Sequence, residues 1–174
     1  VNDLILIHAI DTAEISTFRQ SLDVINEVRA PIEKLARAWD KGLEVEFRIH
    51  PDVRIHAPRL EFASIVQHLA DNACKFSPAG GTIRVLVMPN GVGGCILSIA
   101  DQGPGIPKAL RPNVFERYYQ ISAGDARMYG GLGVGLYIVK TISEALGGGV
   151  KILDTEHGCA VQLSLPPAPL DWNS

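Results

Sequence analysis

The sequence predicts an α/β fold in which about three helices cover one face of a mixed, mostly antiparallel sheet. Three observations point there. Leu60–Pro78 carries Phe62, Ile65, Val66, Leu69, Ala73 and Phe76 at helical pitch, an apolar stripe able to pack on a sheet. Leu43–Ile49 alternates apolar and charged residues strictly, as a half-buried strand does. Thr82–Met88 and Cys95–Ala100 are apolar runs joined by the turn-rich Pro89–Gly94, which suits an antiparallel pair.

The remaining elements follow in order. Residues 1–18 read as a short helix and linker ahead of a domain over 19–166. Asp23 is placed to cap a helix carrying Val24, Val28, Ile32, Leu35 and Trp39, with a kink or break expected at Pro31 and an end at Gly42. Val53–Ile55 is a second short strand, and Pro58 suits the first turn of the central helix. Residues 104–127 have no sustained period and predict a mobile loop with at most one short helix. Leu136, Val139, Ile142 and Leu146 mark a helix ended by Gly147–Gly149, and Val150–Leu153 and Cys159–Leu165 complete the sheet. Residues 167–174 read as an exposed tail.

Composition narrows the function classes. With 174 residues, 47% hydrophobic and 20% charged, the chain can bury a real core and is not a disordered segment. A formal net charge of −3 without a basic run gives a nucleic-acid partner no electrostatic support. No apolar stretch approaches a membrane span, and the start lacks the positive region of a signal peptide. Cys74, Cys95 and Cys159 form no CxxC pair and read as reduced thiols, which favours a cytoplasmic setting. A first residue of Val suggests a domain excised from a longer protein.

The polar side of the central helix holds Ser64, His68, Asp71, Asn72 and Lys75. His68, Asn72 and Lys75 stand at i, i+4 and i+7, so one ligand lying along the helix can meet all three. Acid and amide oxygens beside an ammonium group suit a magnesium–phosphate ligand. Three later stretches add chemistry. Ser98–Pro107 puts Asp101 at a strand end, followed by Gly103 and Gly105, with Ile106 as an apolar wall or loop packing. Asn113–Tyr119 is aromatic and basic; Arg117 or Arg127 could reach a phosphate, while Lys108 and Arg111 read as solvated surface. Gly130–Leu136 is a glycine loop opening a helix, where unpaired N–H groups and the helix dipole favour an anion. It lacks the Lys of a P-loop, and a dinucleotide fingerprint starting at Gly131 would need glycine at position 136, which is Leu136.

In this order the four stretches resemble the asparagine box, first glycine box, phenylalanine box and second glycine box of sensor histidine kinases, over roughly residues 43–166. The corresponding unit is the catalytic, ATP-binding domain of the GHKL ATPase and kinase superfamily, a two-layer α/β sandwich of the Bergerat type, and the resemblance makes residues 1–18 either a linker or the lower end of the dimerisation helix that precedes it. The resemblance implies Asn72 as a magnesium ligand and Lys75 and Phe76 as the phosphate-contacting lysine and the aromatic after it. It implies Asp101 as the adenine-binding acid, and Gly103, Gly105, Gly131, Gly133 and Gly135 as box glycines. His68, Ile106, Leu132, Val134 and Leu136 join the nucleotide-binding set, and Lys75 and Arg117 are the expected catalytic cations. His68 stands where the family often has Asn, Leu132 where Thr is frequent, Cys159–Ala160 where a Gly-Thr-Thr type pair is common, and Gln120 where Arg is frequent.

The superfamily's ATP hydrolases carry Glu four residues before the asparagine to activate water; here that residue is His68. A kinase needs no such base, because its nucleophile is a histidine of an acceptor domain. The resemblance therefore implies a domain that binds Mg-ATP and presents the γ-phosphate to a dimerisation domain, upstream of a response-regulator receiver domain. No acceptor-histidine box occurs in the chain. The alternative is a non-catalytic ATP-sensing or scaffold module of the same fold.

Overall fold

The computed structural model describes residue 7 and residues 18–121 and 132–167. In chain order the elements are β1 (Gln20–Leu22), a π-helical turn (Ile25–Arg29) running into α1 (Ala30–Ala38), β2 (Glu44–Ile49), β3 (Ile55–Ala57), α2 (Arg59–Phe76), β4 (Thr82–Pro89), β5 (Cys95–Ala100), α3 (Gly135–Ala145), β6 (Gly149–Leu153) and β7 (Ala160–Leu165). The main sheet has five strands in the spatial order β2-β4-β5-β7-β6. Only β2 and β4 run parallel; the other neighbours are antiparallel. The predicted mixed, mostly antiparallel sheet with three α-helices is what the described residues form.

One core explains why the helices share a face. Along β4, Ile83, Val85 and Val87 are buried, while Arg84 and Met88 between and beyond them face out. Leu97 and Ile99 of β5 and Val161, Leu163 and Leu165 of β7 join the same cluster. Onto them pack Ile32 from α1, Phe62, Ile65, Val66, Leu69 and Ala73 from α2, and Ile138 and Ile142 from α3. Each fully buried Leu, Ile or Phe contributes about 1.5–3 kcal/mol, so this single layer is the main stabilising term.

Local chemistry sets the helix entries. Asp23 Oδ1 accepts from the Asn26 N–H at 2.9 Å, the cap expected for it. The break expected at Pro31 takes the form of the π-helical turn just before it. Proline has no N–H and its ring crowds the carbonyl four residues back, so the ladder widens there. Glu27, only 8% exposed, closes on Arg59 at 2.7 Å and ties this turn to the start of α2.

Several expectations change. The second short strand lies at Ile55–Ala57 instead of Val53–Ile55, and it pairs antiparallel with β1 in a separate two-stranded sheet. Three residues are too few to carry a period, which is why β1 has no signature. Phe76 leaves the apolar stripe: it is 39% exposed in the last turn of α2, while Ser64, read as polar-face, is buried. Residues 104–121 hold two 3₁₀ turns, Lys108–Leu110 and Asn113–Phe115, each preceded directly by a proline, whose own φ is fixed by its ring. Apart from Ile7, which is helical and buried, and Phe18, the expected N-terminal linker falls outside the described residues, as does 168–174 of the expected tail.

Phe62 is fully buried between α2 and the sheet, so Phe62→Ala is expected to cost about 3–5 kcal/mol. Met88→Ala, on the open face of β4, should stay within about 0.5 kcal/mol of the parent. Urea titration of both variants at one temperature checks the pair, and equal losses would deny the one-sided core.

Candidate functional site

The last two turns of α2 form one wall. His68, Asn72 and Lys75 are half-buried on a common face, as their spacing predicts. Burial holds the Lys75 ammonium below the usual lysine pKa, with the Asp71 charge acting the other way. Its Nζ also stands 5.2 Å from the centre of the Phe76 ring. Among the described residues the Asn72 amide has no hydrogen-bond partner. Asp71 departs from the expectation of an acid oxygen beside that amide, because its Oδ1 accepts from Trp39 Nε1 at 3.1 Å and so turns toward the end of α1.

Lys41, which sequence reading passed over, caps this wall. Its Nζ donates to the carbonyls of Cys74 (3.0 Å), Lys75 (2.7 Å) and Ser77 (3.0 Å). These are orphan acceptors at a helix C-terminus, where a cation is worth about 0.3–1 kcal/mol and up to ~2 when partly buried. No local pattern signals a contact made across more than thirty residues.

The second wall is the turn after β5. Asp101 Oδ1 accepts two backbone N–H groups, from Gly103 at 2.8 Å and Cys159 at 3.2 Å, while its own N–H donates to the Cys159 carbonyl at 2.8 Å. Oδ2 takes no hydrogen bond among the described residues. Burial raises the Asp101 carboxyl above its ordinary value, with the two N–H donors opposing. Gly103 is required here: a Cβ on it would stand 2.6 Å from the Phe76 carbonyl, so the turn is pressed against the end of α2. Gly105, at φ +76°, has the Gly158 carbonyl 2.7 Å from where its Cβ would lie. Gly158 leaves no room for a side chain against the Asp101 carbonyl.

Ile106 is half-buried, and its carbonyl accepts from Arg111 Nε at 3.1 Å. Arg111 also reaches Asp154 at 2.5 Å, and Lys108 reaches the same carboxylate at 3.2 Å. The two cations read as plain surface thus brace the loop that carries Ile106, and they hold the Asp154 carboxyl below its usual range.

The start of α3 closes the arrangement. A Cβ on Gly135 would lie 3.4 Å from His68 Nδ1 and 3.8 Å from Asn72 Nδ2, so this helix begins directly against the polar face of α2. Among the described residues no side chain caps its first turn, where backbone N–H groups favour an anion. Gly133, at φ +67°, backs onto the Tyr119 carbonyl, 2.7 Å from where a Cβ would stand. Val134 is 2% exposed and Leu136 is half-buried against the core, so any ligand there meets their backbone; Leu132 is exposed. Gly131 and Arg127 lie outside the described residues.

Arg117 is not brought to this group. Its guanidinium lies 5.1 Å from the Tyr118 ring centre and 5.9 Å from that of Tyr137. Tyr137 is two residues past Gly135, about 200° round the helix, which puts Arg117 on the far side of α3 from His68 and Asn72. A shallow cleft of about 350 Å³ there is lined by Phe115, Arg117, Tyr137, Lys140 and Glu144 among others.

Comparison with known proteins bears on the same segments. A family model for histidine kinase-, DNA gyrase B-, and HSP90-like ATPases matches residues 58–169, more than half of the chain and all of the walls just described. The chain belongs to this family. It is 33% identical over 157 residues to the signal transduction histidine-protein kinase/phosphatase MprB of Mycobacterium sp. (strain KMS), covering 87% of this chain and 30% of that protein. It is 28% identical over 170 residues to the sensor histidine kinase WalK of Bacillus subtilis (strain 168), covering 95% of this chain and 28% of that one. A solved structure of a mycobacterial sensor histidine kinase MprB superposes with a TM-score of 0.74 at 29% identity, covering 87% of this chain and 99% of that one. Full-length ShkA in complex with AMPPNP superposes at 0.81 with 28% identity, over 97% of this chain and 36% of that one. The chain thus spans about a third of the curated relatives' length or less. Within the family it is a domain of the kind that sensor histidine kinases carry.

Because the turn after β5 is pressed against the end of α2 at Gly103, Gly103→Ala is expected to lose about 1–3 kcal/mol by overpacking against the Phe76 carbonyl. Gly149→Ala has nothing within 4 Å of the added methyl and should be near neutral. Thermal unfolding of the two variants side by side reads the difference.

Proposed function

We propose that this domain binds Mg-ATP and presents its γ-phosphate to a histidine of a dimerisation domain, as the catalytic part of a sensor histidine kinase. The observation that supports it most is the meeting of the His68–Asn72 face with the start of α3 at Gly135. That junction gathers an amide, an imidazole and the backbone N–H groups of a helix start where a phosphate chain would lie, with Lys75 one turn further along α2. Asp101 Oδ2 is the acceptor for the adenine amino group, since Oδ1 is already held by two backbone donors. Gly103 and Gly105 let the purine approach the backbone, and Ile106 offers it an apolar edge.

The residues fit magnesium in one respect. Asn72 supplies a neutral, hard oxygen without a protein partner among the described residues, and no three His, Cys, Asp or Glu side chains gather there into a metal cage. Magnesium would therefore be held mainly by phosphate oxygens and water, with Asn72 as the protein ligand. When bound, it neutralises charge on the phosphates. Lys75 does the same from the protein side, its lowered pKa reflecting a site where charge is poorly solvated. Arg117, on the other side of α3, takes no part in this phosphate set. His68 in place of Glu gives no carboxylate to activate water, which favours transfer over hydrolysis. The acceptor-histidine domain and a receiver domain are the partners this reading requires. Among the described residues no helix is long and apolar enough to cross a membrane, and we place the domain in the cytoplasm, where ATP is available.

Mg-ATP at about one hundred times Kd adds roughly 2.7 kcal/mol of stability, so the parent's melting temperature should rise by several degrees. Asn72→Ala should melt near the parent without nucleotide yet lose the magnesium-dependent part of that rise; a full rise in the variant counts against the metal assignment. Asp101→Asn should weaken ATP more than GTP. The raised Asp101 pKa fixes the sign of the pH effect: acidification protonates it sooner than an exposed carboxylate, so ATP affinity falls early on the acid side and Asp101→Asn flattens that limb. Transfer of labelled phosphate to a supplied acceptor domain separates a kinase from an ATP sensor of the same fold.

A further inference from the structure

We propose that Lys41 is a positioning residue for the nucleotide site, acting through the last turn of α2 without touching the ligand. The inference rests on the reading of the domain as an Mg-ATP binder and names what holds its phosphate-facing wall in place. Three carbonyls, from Cys74, Lys75 and Ser77, converge on the Lys41 ammonium at 2.7–3.0 Å. One of them belongs to Lys75, the phosphate-facing lysine. Lys41 also grips the chain beyond the helix, because its backbone carbonyl accepts from the Gly80 N–H at 2.8 Å. Two residues earlier Trp39 holds Asp71 at 3.1 Å, on the turn that carries Asn72. The stretch from Trp39 to Lys41 therefore fastens α2 at two successive turns, at Asp71 and at the carbonyls of its C-terminal end.

A helix end held this way resists two movements. It cannot unwind, because its last carbonyls are satisfied, and it cannot rotate, because Asp71 and the capped carbonyls are fixed to one neighbouring segment. Rotation matters here, since the Phe76 carbonyl is pressed against Gly103 and the Asn72 amide lies beside Gly135. A shift of the last turn would carry Lys75 and Asn72 away from the start of α3 directly, and would reach Asp101 only at second hand, through Gly103. Asp101 is held by Gly103 and Cys159, through contacts Lys41 does not make. Misplacement of positioned groups by even about 1 Å is known to be costly, so the effect should appear in ligand affinity and not only in stability.

The test is calorimetric binding of Mg-ATP and of adenosine to the parent chain, Lys41→Met and Lys41→Arg, at a temperature where circular dichroism shows each folded. Lys41→Met should bind Mg-ATP roughly tenfold more weakly while adenosine changes less than about twofold. Lys41→Arg keeps the charge, but its donors lie in one plane and cannot converge on all three carbonyls. It should recover most of the lost melting temperature and only part of the Mg-ATP affinity. Should Lys41→Met fail to fold, Lys41→Arg decides the matter on the same ATP-against-adenosine split. Parent affinity in both folded variants, or equal losses of ATP and adenosine, overturns the positioning role while leaving the proposed function standing. A parent that binds neither ligand overturns both.

Discussion

The structure depends on the burial of one stripe of α2 against the sheet. Phe62, Ile65, Leu69 and Ala73 are all within 3% of complete burial, which fixes the helix in rotation and in height. Every polar group on the opposite face is then placed by default: side chains at i, i+4 and i+7 of a helix that cannot turn have nowhere else to point. The apolar stripe is thus the positional reference for His68, Asn72 and Lys75, although it touches no ligand.

What the stripe does not fix, the loops around it do, and they do so with backbone groups. Asp101 is held by two peptide N–H groups and the end of α2 by a single ammonium, and the start of α3 lies at van der Waals distance from the polar face of α2 at Gly135. Glycine, in this setting, is a means of bringing one main chain against another. Gly103, Gly105 and Gly158 form a stack in which each would collide with a neighbouring peptide if it carried a methyl group. Such contacts leave little latitude for drift within the turn that carries Asp101.

Much of this was legible in the residues, and the reasons for the rest are physical. The period of α2 and the alternation of β2 are set by burial on one side, so they are written along the chain. Asp23 and Pro31 act within a few residues of themselves and were read correctly for the same reason. Lys41 acts across more than thirty residues and leaves no local trace. Phe76 has the right period for the stripe but is the last residue of the helix and stays exposed, so phase alone misplaced it. Asp71 and Asn72 are adjacent in sequence and nearly a third of a turn apart on the helix, and only the position of Trp39 reveals that the acid faces away. The two 3₁₀ turns are each three residues long, shorter than any period that could announce them.

The parallel pairing of β2 with β4 has a kinetic consequence. Antiparallel neighbours such as β4 and β5 can zip from a tight turn, but β2 reaches β4 only by a crossover, and α2 lies inside that crossover. The register Val45↔Ile83 therefore closes a loop of nearly forty residues, a step whose entropy is lost before any contact rewards it. The helix that carries the ligand-facing side chains is enclosed by the same slow event that completes the sheet edge. A state with only the β4–β5 and β6–β7 hairpins in place would lack the α2 stripe, and with it both the core and the site.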